Sequence, residues 1–178
     1  PPALSTLGWW WLFEPTYSAL NWFLKEISLP AIPWLSETFW ARFSIILVNI
    51  WVGAPFFLIM YLAALKSIPA DLYEAASIDG ANYKQKLYYI TLPMMKNIIS
   101  ITILFSIIVT FANFDIVRVL TRGGPIDTTH LFATYAFRVG IESGDIPLGA
   151  AVSLFMFPIL GTLAFIILRS VRKRALEV

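Results

Sequence analysis

The chain has 178 residues, 58% of them hydrophobic and 13% charged, with no cysteine and a formal net charge of +2. Its mean hydropathy of +0.74 exceeds what a soluble domain of this size can bury, since such domains are about half apolar and about a quarter charged. The composition excludes disulfides and Cys metal sites, and so small a positive charge gives no case for nucleic acid.

The opening Pro1-Pro2-Ala3-Leu4 lacks the charged region and apolar core of a signal peptide, and it reads as a start partway through a longer protein. Residues 1–42 hold six of the seven tryptophans: Trp9, Trp10, Trp11, Trp22, Trp34 and Trp40. Indoles favour the headgroup level of a bilayer, where one end of the ring stays wet. Between Thr16 and Ser28 the residues Leu20, Phe23, Leu24 and Ile27 fall at helical spacing, while Pro15, Pro30 and Pro33 punctuate the flanks. The expectation for 1–42 is a short amphipathic helix and loops on the extracytoplasmic surface, anchoring the chain or receiving a ligand or external partner.

Three later runs are long enough to cross a membrane: 43–65, 98–117 and 148–168. Twenty residues of helix span about 30 Å, the thickness of a hydrocarbon core. Lys66, Lys84, Lys86 and Lys96 in the loop 66–97 and Arg169, Arg172, Lys173 and Arg174 in the tail make eight cations on one side. Lys25, Arg42, Arg118, Arg122 and Arg138 make five on the other, longer side. By the positive-inside rule the loop 66–97 and the C-terminus are cytoplasmic. The fold class is therefore all-α, a polytopic helical bundle in a lipid bilayer, with 43–178 as its spanning part.

In the loop 66–97, Pro69-Ala70-Asp71 is expected to start a helix, with Asp71 as cap and Glu74 completing a capping box. Asp79-Gly80 ends it, because Gly accepts the left-handed geometry of a C-terminal cap. A second helical stretch from Asn82 runs to Leu92-Pro93, with Pro93 in the first turn of the next span.

Glu74-Ala75-Ala76, three residues, Gly80, nine residues, then Ile90-x-Leu92-Pro93 resembles the EAA loop of binding-protein-dependent ABC importer permeases. The flanks Ile68-Pro69-x-Asp71-Leu72-Tyr73 and Ile78-Asp79-Gly80-Ala81, with Phe111-x2-Phe114-Asp115 and Leu120-Thr121-x-Gly123-Gly124-Pro125-x2-Thr128 downstream, are similar to the maltose and glycerol-3-phosphate type. The likeness runs from about Trp9 to the C-terminus. That family has about six spanning helices in its conserved unit, so the resemblance implies that the first half lies outside this chain. It also implies that Glu74, Ala75, Ala76, Asp79, Gly80, Ile90, Leu92 and Pro93 form a coupling helix seated on a separate ABC ATPase subunit. ATP and Mg would belong to that subunit. A second permease subunit and an extracytoplasmic solute-binding protein complete the implied partners, and the cytoplasmic membrane is the implied location.

The chain has no G-x4-G-K-[ST] sequence for nucleotide phosphates. Its single histidine, His130, has no Cys or clustered carboxylates near it in sequence to make a metal site, and no nucleophile–base pair suggests an enzyme. Gly123-Gly124-Pro125 reads as a tight turn, with Thr128 and Thr129 available to cap the next segment. Polar groups in spans usually face protein or a watery path. Asn49, Asn113 and Asp115 with Trp51, Phe111, Phe114 and Tyr135 are candidates for a sugar path, supplying hydroxyl partners and flat apolar faces. Bonding between helices is the alternative for the two asparagines, and pairing with Arg118 is the alternative for Asp115. Pro55 and Pro158 are expected to kink their helices. An ATP-driven carbohydrate importer is the leading reading. An ion-coupled secondary transporter and a non-transporting membrane scaffold are the alternatives.

Overall fold

The computed structural model describes residues 1–175, and the described residues form helices and connecting turns, without strands. Arg172, Lys173 and Arg174 of the cationic tail carry no described side chains, and 176–178 lie outside the described residues. In chain order the elements are α1 (Pro2–Phe13), α2 (Ala19–Glu26), α3 (Thr38–Lys66), α4 (Ala70–Ile78) and α5 (Tyr83–Lys86). A π-helical stretch (Leu87–Thr91) leads into α6 (Leu92–Phe111), followed by α7 (Asp115–Leu120) and α8 (Phe132–Phe137). A second π-helical stretch (Arg138–Glu142) precedes α9 (Ile146–Ala175).

Among the described residues, three helical stretches are long and apolar enough to cross a membrane: Thr38–Lys66, Tyr83–Phe111 and Ile146–Ile166. Only 6%, 17% and 6% of their most apolar windows are buried by the rest of the chain. A soluble protein cannot leave such surfaces in water, whereas in lipid a helix satisfies its own backbone and needs no cover. The second span starts earlier than the 98–117 read from hydropathy and ends six residues sooner, at Phe111. Asn113 is the physical reason. Its Oδ1 accepts the Ile116 N–H at 3.2 Å, an alternative to the helical ladder that opens α7 as a separate element.

The chain divides into two compact units: Pro1–Gly53 with Ile108–Leu160, and Ala54–Ile107 with the segment from Gly161. The first is built around Phe13, Val48, Ile116 and Leu120, with Trp9, Leu20 and Trp34 packed against them. Here the expectation of one short helix in 1–42 is corrected. Residues 2–13 form a second helix, α1, with Pro2 at its start, where a missing N–H costs nothing. That helix packs on α7 and places Phe13 fully out of solvent. Trp9 and Trp34 flank the Phe13 ring at 5.5 and 5.4 Å, while Trp11 and Trp22 remain exposed. Asn21 ties down the proline-rich segment, exchanging two 3.0 Å bonds with the Ile32 backbone and accepting the Trp34 indole N–H. The second unit gathers Ala64, Ile68 and Met95, with Tyr61, Tyr73 and Ile90 against them.

Phe13→Ala removes the central ring of the first unit and should destabilise it by about 3–5 kcal/mol. A thermal melt of the detergent-purified protein checks this, and an unchanged midpoint would refute the central role of that ring.

Candidate functional site

The loop between the first two spans is a helix, a locked turn and a second helix. Its start corrects the capping expectation. Pro69 takes the N-cap position and no side chain caps α4, so Asp71 already lies in the first turn. There its carboxylate opposes the positive end of the helix dipole without capping it. The end is as the sequence reads. Gly80 adopts φ +77°, its N–H bonds the Ser77 carbonyl at 3.1 Å, and the Ala81 N–H reaches back to Ala76 at 2.9 Å. These are the two bonds of a Schellman cap, which requires a left-handed residue between them. The capping box lies one element later: Asn82 Oδ1 accepts the Gln85 N–H at 3.0 Å, and Gln85 Oε1 accepts the Asn82 N–H at 2.8 Å.

Side chains then join this hairpin to the spans. The Tyr73 hydroxyl lies 2.9 Å from Thr91 Oγ1, and Tyr73 and Ile90 pack on the Ala64–Ile68–Met95 cluster. Lys86 bonds Ser77 across the turn. Pro93 comes directly after the π-helical stretch. The wider winding, in which the Leu92 N–H bonds Leu87, precedes the place where proline breaks the regular ladder.

Among the eight residues singled out in the sequence, Glu74, Ala75 and Asp79 are exposed on or just after α4, Gly80 makes the turn, and Ala76 is half-buried. Ile90 is half-buried in the cluster that holds the hairpin, while Leu92 and Pro93 are exposed at the start of α6. Sequence reasoning missed Tyr73, Thr91 and the Asn82–Gln85 box. The box had a signal, Asn with Gln three residues later, but the Tyr73–Thr91 pair, eighteen residues apart, had none.

The proposed sugar-path residues are not brought to one place. Phe111 and Tyr135 line a cavity of about 350 Å³ with Thr110, His130, Leu131 and Phe132. Phe114 lines a different one of about 690 Å³, walled by Ala133, Ala136, Gly140 and Gly149. Asn113 donates to Asn49 at 3.3 Å, the bond between elements that was the alternative for this pair. Trp51 packs edge-on to Trp9 at 5.6 Å. Asp115 is exposed and does not pair with Arg118; that guanidinium instead meets Glu142 at 2.6 Å and lies over the Phe137 ring. Helical spacing would allow the Asp115–Arg118 pair, but the Arg118 guanidinium is taken by Glu142, which returns to it from the chain beyond α8.

The turn at 121–130 is also more specific than expected. Gly123 has φ +93°, and a Cβ there would overlap the His130 ring, so only glycine fits. Thr128 and Thr129 do not cap α8. Thr129 Oγ1 donates to the Gly124 carbonyl at 2.6 Å, Thr128 Oγ1 donates to Pro125 at 2.7 Å, and Arg42 clamps the Thr128 carbonyl with two N–H groups. Thr134 does the local work at α8, accepting the Leu131 N–H at 2.9 Å. His130 sits between Thr134 at Nδ1 (3.2 Å) and Arg138 and Asp127 at Nε2 (3.3 and 3.6 Å). Burial lowers its pKa below the usual 6.5, with the Asp127 carboxylate opposing that shift and the Arg138 charge adding to it.

The profile of the binding-protein-dependent transport system inner membrane component matches residues 3–177. The chain belongs to that family. Within it, the chain is 33% identical over 98% of its length to the trehalose/maltose transport system permease protein MalF of Thermococcus litoralis, covering 59% of that protein. It is 32% identical over 98% of its length to the maltose/maltodextrin permease MalF of Escherichia coli K12, covering 36% of it. A bacterial ABC transporter involved in the import of the acidic polysaccharide alginate superposes with a TM-score of 0.84 at 27% identity. That match covers 96% of this chain and 60% of that one. The chain thus spans between about a third and three fifths of the relatives it matches.

Two outcomes test this geometry. Tyr73→Phe removes the bond to Thr91 and should cost about 0.5–1.5 kcal/mol, seen as faster hydrogen exchange of the α4 amides. For His130, a folded pKa below the unfolded one means that its stabilising contribution is present above about pH 6.5 and is lost as pH falls from there toward the folded value. The melting temperature should fall on acidification through that window in the wild type, and His130→Gln should flatten that part of the profile.

Proposed function

We propose that this chain is the spanning part of a permease subunit in an ATP-driven importer, and that the Glu74–Gly80 hairpin docks on a separate ATPase subunit. The observation that carries this reading is the exposed α4 and its glycine-locked turn, tied by Tyr73, Thr91 and Ile90 to the residues that open the next span. A hairpin loosely attached to its span would absorb a push from a partner. One pinned by a hydrogen bond and a packed cluster passes it on as a rigid-body displacement. Ala75 and Ala76 let a partner approach α4 closely, and Glu74 and Asp79 offer carboxylates to basic residues on it.

In this reading ATP and Mg bind the ATPase subunits, and this chain catalyses nothing itself. It pairs with a second permease subunit and receives solute from an extracytoplasmic binding protein, with the loop 66–97 and the C-terminus on the cytoplasmic side. The solute class is a carbohydrate or related polyol phosphate. Support comes from relatives named for maltose, trehalose and maltodextrin, and from an alginate transporter structure in complex with an alginate-bound periplasmic protein. Of the path candidates, Phe111 and Tyr135, which share a cavity, are the aromatic pair to test first. The ion-coupled alternative rests on Asp115 alone, an exposed carboxylate at the start of α7, whereas the relatives named as transport-system permeases support the ATP-driven reading.

Gly80→Leu meets open space for its Cβ but must hold φ +77°, at a cost of about 1–2 kcal/mol. In the assembled transporter it should leave membrane insertion intact, lower copurification of the ATPase, and separate ATP hydrolysis from solute uptake. Wild-type uptake and ATPase retention in that variant would refute the docking role.

A further inference from the structure

The single histidine of the sequence closes the turn 121–130, just ahead of α8. Its side chain is 8% exposed, pressed against Gly123 and edge-on to the Tyr135 ring at 5.8 Å. It also walls the cavity of about 350 Å³ that Phe111 and Tyr135 line. The partners of its two nitrogens differ, and they assign its tautomer. A guanidinium can only donate, so Nε2, 3.3 Å from an Arg138 N–H group, is the bare nitrogen. Nδ1 then carries the proton and donates to Thr134 Oγ1 at 3.2 Å. That hydroxyl passes its own hydrogen to the Leu131 carbonyl at 3.1 Å while accepting the Leu131 N–H. The neutral ring is thus satisfied at both nitrogens.

A proton added at Nε2 removes the lone pair that Arg138 uses and sets two cations face to face. The carboxylate nearest that nitrogen is Asp127, whose Oδ1 lies 3.6 Å away and already bonds Arg138. The remaining charged groups around the ring are committed elsewhere, Glu142 to Arg118 and Arg42 to the Thr128 carbonyl. Burial opposes the proton most, Asp127 favours it, Arg138 opposes it, and Glu142 favours it least. The Asp127–Arg138 pair matters because of the backbone it holds. Ile126 and Asp127 have φ of +48° and +58°, a region that a β-branched residue rarely enters. Ile126 is 92% exposed, so no packing of its own keeps it there. Such residues persist only where their surroundings over-determine them. Here the surroundings are the backbone bonds Thr128 to Pro125 and Thr129 to Gly123, each 3.1 Å, the Arg42 clamp, and the link from Asp127 to Arg138.

We propose that His130 is a proton-operated latch: a proton taken up at Nε2 draws Asp127 away from Arg138 and frees the turn 121–130 from the end of α8, at the wall of the cavity. The arrangement differs from simple packing in one respect. The bare nitrogen faces the same carboxylate oxygen that holds Arg138, so the added proton has a partner to take from the arginine. With the loop 66–97 on the cytoplasmic side, this turn lies outside, and the latch answers to external acid. The inference rests on contacts within the turn and α8, and not on the docking of an ATPase or on which solute is carried.

The test is hydrogen exchange read by mass spectrometry on the assembled transporter in lipid nanodiscs, at about pH 8 and about pH 5.5, with rates corrected for free-amide exchange. In wild type the peptide covering 121–130 should open about threefold to tenfold more in acid, while α4 peptides stay unchanged. His130→Gln should make the protection of that peptide independent of pH. Asp127→Asn removes the charge that both cations claim, so the turn should be as open at about pH 8 as wild type is in acid. No pH response in wild type, a response retained in His130→Gln, or an Asp127→Asn turn that behaves as wild type would each overturn the latch. Asp127 is exposed, so its variant decides the matter if His130→Gln also loses protection in α3. The nitrogen-15 resonances of His130, identified by their loss in His130→Gln, should show Nδ1 protonated at about pH 8; a proton on Nε2 there would also overturn the proposal.

Discussion

The contact on which the second unit depends is the bond between the Tyr73 hydroxyl and Thr91, set on the small cluster of Ala64, Ile68 and Met95. The hairpin of α4 and α5 has almost no core of its own. Its outward residues, Leu72, Ile78 and Tyr83, are exposed, and its internal order comes from backbone caps and one side-chain box. Without a tie to the spans it would be an isolated pair of short helices, which are marginal in water. The tie makes it an extension of the helices on either side. The position of Tyr73 explains why one residue suffices: it sits immediately before the exposed Glu74–Ala75 stretch and points the other way, into the cluster.

The same economy appears in how this chain changes direction. At several helix ends the backbone passes to a defined acceptor or donor. Gly80 and Ala81 close α4, Asn82 opens α5, Asn113 opens α7 and Ser18 opens α2. Unpaired backbone groups are costly near a membrane, so such turns use short polar side chains where a soluble loop would use water. The transition at Leu87–Thr91 belongs to this pattern. The spanning helix enters through a π-helical stretch, which brings the chain to Pro93 without demanding the bond that proline cannot give.

Much of this architecture is legible in the order of residues. The three spans come from uninterrupted apolar runs, and the helix–turn–helix of 66–97 comes from Asp79-Gly80 and Asn82. Both are local or periodic signals. The departures have a common origin too. The pattern Asp-x-x-Glu fits a cap at Asp71, but Pro69 begins the helix two residues earlier. Spacing alone pairs Asp115 with Arg118, while the partner that wins, Glu142, is twenty-four residues beyond that arginine. The helix α1 hides behind a tryptophan cluster that reads as a membrane belt, yet Trp9 and Trp34 pack into the core. The candidate path residues share a chemical type, and three-dimensional placement divides them between two cavities and a bond between asparagines.

Chain order alone determined the class of this protein, the number of its apolar crossings, and the spacing of Glu74, Gly80 and Pro93 that resembles its family's loop. These depend on hydrophobic periodicity and on backbone preferences of single residues, which act within a few positions. Tertiary structure decided which aromatic rings are buried, which carboxylate meets Arg118, why Gly123 admits no side chain beside His130, and how Tyr73 fastens the hairpin. Those outcomes depend on pairs distant along the chain, where competing partners of equal chemistry are separated only by where packing puts them.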